Sequence, residues 1–562
     1  MKAKITPVFQ GAARSRRLFV LIPDYTGKPR RIVGVASAIR EREPLSDVAI
    51  TGYSGGVFSN NDPLEIAELI VEEIDARVKA KAAAGDRYDG IVLVGYSLGA
   101  IIARLVYLLA SGRTRSTTCD RPVPVAWAGQ VDRIVLLAGI TRGWSGHIER
   151  PPHTPLLMYW SLLVALRLAR VFRFGMLLRS GLAGSPTVAN LRLEWMDAVH
   201  DGDAKTPTVV QLIGDADPFA SPSDHIDLFG GSAFVYRKLP KGTNHFTAVD
   251  FEGPNGPMRK VAILEALFAP IATLRSQVTF DERPTIDPNV RHVVFVMHGI
   301  RDRGREWQPA LAKAIEDAGG EGMQTIVSDY GYMPMLKFLL VSERRKRVRW
   351  FMDRYIEARA KYPNADISYV GHSNGTYVLA ESLRTYHTCR VKYVVFAGSV
   401  VRTDFPWNRF MDEKRVLSVR NFAGARDWIV AVFPGLFEKL NLDPDLGAAG
   451  FHGFSAESVQ PHQVCYLDGG HSVALEPTNF ASIAAFVVSG NPVGPGVRTS
   501  ARPHGGVDRL GKYPELCWIG AAALLIAPGF LIWKQLAPLG PVTAVLGVAA
   551  YAGLVGLVLL RE

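Results

Sequence analysis

Short apolar runs alternate with longer stretches of helical spacing along the first half of this chain. The runs at 18–22, 48–53, 90–94, 131–137, 208–213 and 234–239 read as strands. Between them, 64–83 and 100–110 carry helical patterns. Strands alternating with helices predict a parallel sheet covered on both faces. A mixed-polarity stretch with two prolines, 275–289, reads as a linker, and the pattern then restarts. Strands are expected at 292–297, 323–328, 366–370, 391–396, 415–419 and 463–467, with helices at 307–318, 348–360 and 376–385. The layout is duplicated at domain scale, although the halves share little residue identity.

The last part of the chain has a different pattern. From 490 to 511 it is rich in Gly, Pro and Arg, the composition of a flexible tether. Two uncharged apolar segments follow, 516–533 and 542–560, joined by a turn that holds Lys534, Pro538 and Pro541. Each is long enough to span roughly 30 Å of hydrocarbon as a helix. A buried helical hairpin is the alternative, but the segments are apolar all round and follow a tether. Pro528 would kink the first, and Ala549, Gly553 and Gly556 would let its partner pack closely. The expected organisation is therefore a first domain over 1–275 with an insertion at about 140–205, a second domain over 290–489, a linker over 490–513 and two transmembrane helices over 514–562.

Composition adds a class and a compartment. At 562 residues the chain exceeds one hydrophobic core. Its net charge of +11 favours anionic surfaces, and with no nucleic-acid-binding signature a membrane surface fits better than nucleic acid. The four cysteines, Cys119, Cys389, Cys465 and Cys517, lie far apart without metal-ligand spacing, as reduced thiols of a cytosolic protein would. The first ten residues lack the apolar core of a signal peptide. Arg498, Arg502, Arg509 and Lys512 precede the first apolar segment and Arg561 follows the second, against Lys534 alone in the turn. The positive-inside rule then places both folded halves and the C-terminus in the cytoplasm of a membrane-anchored protein. No oligomeric state is read from the chain.

The candidate chemistry begins with a repeated turn. Gly95-Tyr96-Ser97-Leu98-Gly99 lies between a predicted strand and a predicted helix, and Gly371-His372-Ser373-Asn374-Gly375 repeats the arrangement. A serine with glycines two residues either side, between strand and helix, is a nucleophile elbow, because the turn leaves no room for a Cβ at the flanking positions. One such motif is a weak signal; two in the right context are strong.

On these motifs the chain resembles the α/β-hydrolase superfamily twice, over about 18–269 and 292–488. The resemblance implies two doubly wound, mostly parallel α/β sheets. It also implies triads in the order Ser, acid, His, each histidine lying in a loop after a late strand. That order points to Ser97, Asp217 and His245, with Asp215 as an alternative acid, and to Ser373, Asp427 and His471. It places the oxyanion amides at Leu98 and Tyr25 in the first half, and at Asn374 and Ile300 in the second. Met297-His298-Gly299-Ile300 matches the family's His-Gly turn. Ile22-Pro23-Asp24-Tyr25 departs from it, since a carboxylate at Asp24 would oppose the charge forming on the oxyanion. The second half is accordingly expected to be the stronger site.

Asp217 lies 120 residues after Ser97, whereas Asp427 lies 54 after Ser373, which points to a cap inserted between Gly139 and Lys205. Within it, the apolar stretch 156–166 followed by Arg167, Arg170, Arg173 and Arg179 suits either a lipid-contacting lid or a cap packed on its own domain. The cationic run from Arg344 to Arg349 likewise suits a solvated helix face or anionic lipid. The expectation is a serine hydrolase acting on carboxylic, lipid-like acyl esters without metal or organic cofactor. A thioesterase or peptidase using the same triads, or a scaffold with one silent half, is the alternative.

Overall fold

The computed structural model describes residues 3–12, 15–120, 122–145, 174–200, 206–217, 227, 234–276, 286–300, 307–331, 333–455, 464–490 and 505–560. The chain divides into two units, Met1–Thr285 and Ile286–Glu562.

The strands of the first unit are β1 (Ile5–Gln10), β2 (Arg17–Ile22), β3 (Asp47–Tyr53), β4 (Gly90–Tyr96), β5 (Val131–Leu137), β6 (Thr208–Ile213) and β7 (Phe234–Lys238). They form one sheet in the order β1-β3-β2-β4-β5-β6-β7. Every pairing is parallel except that of β1 with β3. Alternation along β2 divides it between two cores. Leu18, Val20 and Ile22 face α2 (Pro63–Ala83) and α3 (Gly99–Ala110), while Phe19 and Leu21 face α1 (Val33–Arg42) and the helix Gly256–Phe268. Every residue of α3 is buried, because it is covered by α2 on its outer side, which explains its apolar rather than amphipathic pattern.

Two local outcomes differ from the sequence reading. β1 lies outside the predicted strands; it is mostly exposed and is held as an edge strand by its ladder to β3. The insertion also contains more than a cap. Its short helix α4 (Met176–Ser180) is followed by α5 (Pro186–His200), which packs on α3 and buries Trp195, so the end of the insertion is a sheet-covering crossover helix. The apolar stretch 156–166, with Arg167, Arg170 and Arg173, lies outside the described residues.

α6 (Gly256–Phe268) and α7 (Ile271–Ser276) close the first unit, so the expected linker at 275–289 begins in a helix. The second unit contains β8 (His292–Met297), β9 (Met323–Ser328), β10 (Asp366–His372), β11 (Val391–Ala397), β12 (Val416–Gly424) and β13 (Val464–Leu467). This sheet is parallel throughout, in the order β13-β12-β11-β10-β8-β9. α8 (Trp307–Gly319) covers one face together with a late helix, Pro477–Ser489. On the other face, α10 (Val341–Lys361) sets Phe351 edge-on against Phe295 and Tyr369. The short α9 (Met335–Leu339) precedes α10. After the strands come α11 (Asn374–Thr385), α12 (Trp407–Asp412), α13 (Trp428–Lys439), α14 (Ala449–His452) and α15 (Pro477–Ser489).

The cationic run opening α10 is not one solvated face. Arg344 is fully buried, pairs with Asp443, donates to the Phe338 carbonyl at 2.8 Å and lies over the rings of Phe338 and Tyr377. The expected tether is helical over α16 (Gly505–Lys512), which packs on α13. α17 (Pro514–Leu536) and α18 (Pro541–Leu560) follow and pack on each other, with Tyr551 donating to the Leu525 carbonyl at 2.9 Å. Among the described residues one helix, that of α17, is long and apolar enough to cross a membrane.

Candidate active site

In each sheet the strand order reverses beside the strand that carries a candidate serine. β2 and β4 are neighbours in the first unit, and β8 and β10 in the second. Crevices at the carboxyl ends of strands on either side of such a reversal are where α/β sheets take ligands. Ser97 follows β4, and the Asp24–Tyr25 turn follows β2. Ser373 follows β10, and His298–Ile300 follows β8.

Both serines are held in a strained left-handed conformation, with φ of 55° at Ser97 and 52° at Ser373. Their backbone N–H groups donate to the ends of the next strands, Ser97 to Leu137 at 3.0 Å and Ser373 to Ala397 at 2.9 Å. Gly99 is required by contact rather than by dihedral angle. A Cβ there would lie 2.4 Å from the Ile22 carbonyl oxygen and 2.5 Å from that of Pro23. Only glycine lets the start of α3 sit against the β2 turn.

In the first unit three predicted side chains meet. His245 Nε2 lies 2.8 Å from Ser97 Oγ, and its Nδ1 lies 2.8 Å from Asp217 Oδ2. The Asp217 side chain is 2% exposed. With that carboxylate ionised, Nδ1 carries the proton and Nε2 accepts from the serine hydroxyl. Asp215, the alternative acid, instead accepts the Gly242 N–H at 2.8 Å and so pins the loop that carries the histidine. Tyr96, inside the serine motif, donates its hydroxyl to the His245 carbonyl at 2.9 Å. The backbone N–H groups of Tyr25 and Leu98 find no acceptor among the described residues, as oxyanion donors require.

Asp24 is less adverse than the sequence reading expects. Its carboxylate accepts from the Thr26 N–H at 3.1 Å and the Thr26 hydroxyl at 2.5 Å, and it lies 3.8 Å from Arg31 Nε. These partners offset part of its charge. The remainder is still felt nearby: burial first, then Asp24, raises the Tyr96 hydroxyl well above its ordinary value.

The second unit is assembled differently. His471 Nδ1 lies 2.8 Å from Asp427 Oδ2, and the fully buried Asp427 also caps α13 by accepting the Val430 N–H at 3.0 Å. Ser373 Oγ and His471 do not hydrogen-bond to each other. Gly299 is placed so that a Cβ would lie 2.7 Å from Ser373 Cβ, which brings the His298-Gly299-Ile300 turn directly against the serine. The backbone N–H groups of Ile300 and Asn374 have no acceptor among the described residues. His298 is buried, bonds Asp329 at 3.1 Å through Nε2 and stacks on Tyr330 at 4.2 Å. Tyr330 in turn donates to the His298 carbonyl and accepts from Asn374 Nδ2, both at 3.0 Å.

Tyr96, Tyr330 and His372 are site neighbours that the motif reading left unassigned. The His372 ring lies 4.9 Å from that of His471, and burial first, then the charge of His471, holds its pKa well below the usual imidazole value. Position offers the one sequence signal: Tyr96 and His372 each immediately precede the elbow serine.

No family model and no curated protein matches the chain. Among solved structures it is similar to carboxyl esterase 2 of the fungus Tuber melanosporum, at 14% identity and a TM-score of 0.31, over 49% of this chain and 83% of that one. It is likewise similar to a monoacylglycerol lipase of Paleococcus ferrophilus, at 15% identity and 0.28, over 49% and 99%. A third is the type II thioesterase of the borrelidin biosynthetic cluster, at 16% identity and 0.27, over 49% and 97%. Such likeness carries no substrate. The chain's own strand order, its covering helices and its strained serine turns are those of an α/β-hydrolase fold.

Proposed function

We propose that the protein is a membrane-anchored serine hydrolase that cleaves carboxylic esters, lipid-like acyl esters in particular, through an acyl-enzyme. The observation that carries this reading is His245 bridging Ser97 and the buried Asp217 at 2.8 Å on both sides. A serine hydroxyl is hardly ionised at neutral pH and needs a base at that range. Ser97 Oγ attacks the ester carbonyl as its proton passes to His245 Nε2, and Asp217 stabilises the imidazolium. The oxyanion is received by the Leu98 and Tyr25 amides. Collapse breaks the carbonyl–alkoxy bond, His245 returns the proton to the departing alcohol, and water repeats the sequence to release the acid. Ser373, His471 and Asp427 form the second site, with Asn374 and Ile300 as its donors. Its His471 closes on Ser373 when substrate is bound, as catalytic bonds that are long in the free enzyme do.

In this reading α17 and α18 form a hairpin anchor, with the domains 1–275 and 290–489 on the cytoplasmic side by the positive-inside rule. A fluorophosphonate probe tests the chemistry. It is expected to label both serines in the wild type, Ser373 alone in Ser97→Ala, and Ser97 alone in Ser373→Ala. A protein in which neither serine takes the probe and no short ester is cleaved refutes the hydrolase reading.

A further inference from the structure

The C-terminal helices are docked on the second unit rather than hung from it. α17 starts beside the C-terminal end of α13, where Lys439 Nζ lies 2.8 Å from Glu515 and donates to the Lys512 carbonyl at 2.6 Å. One turn later Trp518 donates its indole N–H to the Val432 carbonyl at 3.2 Å. Its ring meets those of Phe433 and Phe437 edge-on, at 5.0 and 6.2 Å. As α17 advances from Glu515 to Trp518, its contacts therefore move back along α13 from Lys439 toward Trp428. The helix runs toward the Asp427 end of α13. Phe433 lies six residues from Asp427, about 9 Å along the helix axis.

The returning helix packs on an element that leads from the same site. α18 packs on α9. Just ahead of α9, Met333 places its sulfur 3.9 Å from Asn374 Nδ2, the side chain next to the Ser373 oxyanion amide. Both feet of the hairpin thus stand on elements that reach Ser373's partners, one through Asp427 and one through Asn374.

The surface around those feet suits a bilayer boundary. Trp428, next to Asp427, is 53% exposed, and Leu340, directly after α9, is 55% exposed with Val341 exposed beside it. Lys337, Arg345 and Lys346 are exposed around this pair, although Arg344 between them is buried. The exposed Leu340–Val341 pair among cations, and separately the exposed Trp428 at the start of α13, have the composition of surfaces that face anionic headgroups.

We infer that the Ser373 site opens onto the bilayer in which the hairpin stands and takes its acyl lipid from that same bilayer, with Trp428, Leu340 and Val341 immersed at headgroup depth. The inference rests on the hydrolase and anchor readings proposed above. It assigns the membrane-fed role to this site.

The test uses the full chain carrying Ser97→Ala, so that Ser373 alone acts. It is reconstituted in phosphatidylcholine vesicles doped with phosphatidylglycerol. A fluorogenic diacylglycerol ester is placed either in those vesicles or in a second, protein-free population, and a short soluble ester is assayed in parallel. Confinement to one membrane raises effective concentration, so the lipid ester should be cleaved about ten-fold or more faster in the protein's own vesicles. Leu340→Ser with Val341→Ser should lower lipid-ester cleavage several-fold while leaving soluble-ester turnover within about two-fold, since exposed substitutions away from the reacting groups cost little stability. Equal rates in the two vesicle populations, or equal loss on both substrates in the double variant, overturn the inference. Absence of both probe labelling at Ser373 and soluble-ester turnover overturns the hydrolase reading of this site, and the inference with it. Release of the protein from vesicles by alkaline carbonate overturns the anchor reading in the same way.

Discussion

Asp217 and Asp215 stand two residues apart on one loop, and the structure gives them different partners. Asp217 holds the imidazole at 2.8 Å, whereas Asp215 holds the Gly242 amide. Removing the charge at Asp217 leaves the imidazolium of the transition state without its counter-ion. Two unit charges about 4 Å apart at an effective dielectric near 20 interact by roughly 4 kcal/mol. Little of that is screened, because the Asp217 side chain is 2% exposed. At 1.36 kcal/mol per decade the loss is about 10³ in rate, and it approaches about 10⁴ where the amide also favours the wrong tautomer. Asp215→Ala removes one hydrogen bond at an exposed position, worth about 1 kcal/mol or less and no more than about five-fold in rate. Both variants are to be measured in a Ser373→Ala background on a short activated ester, with kcat and KM separated and thermal unfolding as a control on folding. Asp217→Asn should lower kcat and leave KM nearly unchanged. An Asp217→Asn protein that keeps a tenth of wild-type kcat, or an Asp215→Ala protein that loses as much as Asp217→Asn, would refute the assignment.

Gly99→Ala drives a Cβ into two backbone carbonyls that have nowhere to move. It should cost on the order of 1–3 kcal/mol of stability and abolish probe labelling at Ser97 while sparing Ser373; normal labelling of Ser97 would show that the tight contact is dispensable. Acid should weaken the second unit. Burial lowers the pKa of both His292 and His372 below the ordinary 6.5. These groups are neutral when folded, so their contribution is fully present above the unfolded-state value and is lost as pH falls below it. Unfolding of the second unit followed between neutral pH and pH of about 5 should show its midpoint falling, and a rising midpoint would contradict the sign. Truncation after Gly490 should move the protein from the membrane to the soluble fraction, and retention on membranes in high salt would place the anchor elsewhere.

What the sequence made legible is what local pattern and tertiary burial decide together. The strand before Ser97, Gly90–Tyr96, is buried along its whole length, so it reads as a continuous apolar run, and Gly95 at its end is required by contacts with Gly99 and Ala100 only a few residues on. The features that escaped depend on partners far along the chain. β1 exposes most of its side chains and exists through its ladder to β3, so no apolar face announces it. Arg344 looks like one cation in a solvated run until Asp443, 99 residues later, draws it inside. Asp24 looks like a lone adverse charge until Arg31 and Thr26 close around it. The ranking of the two sites turns on the same point. Both halves carry a serine motif, an acid and a histidine in the same order, yet the structure joins Ser97 to His245 and leaves Ser373 apart from His471. A motif fixes the backbone of an elbow; whether the base stands within reach depends on the loop after the last strand. In the first unit that loop is tied by Asp215 and by Tyr96, a hydroxyl that reaches across 149 residues to the His245 carbonyl. At the same motif position the second unit has His372, a buried imidazole that lies against the His471 ring and is hydrogen-bonded to the His471 backbone, while Asp427 holds His471 from its other side.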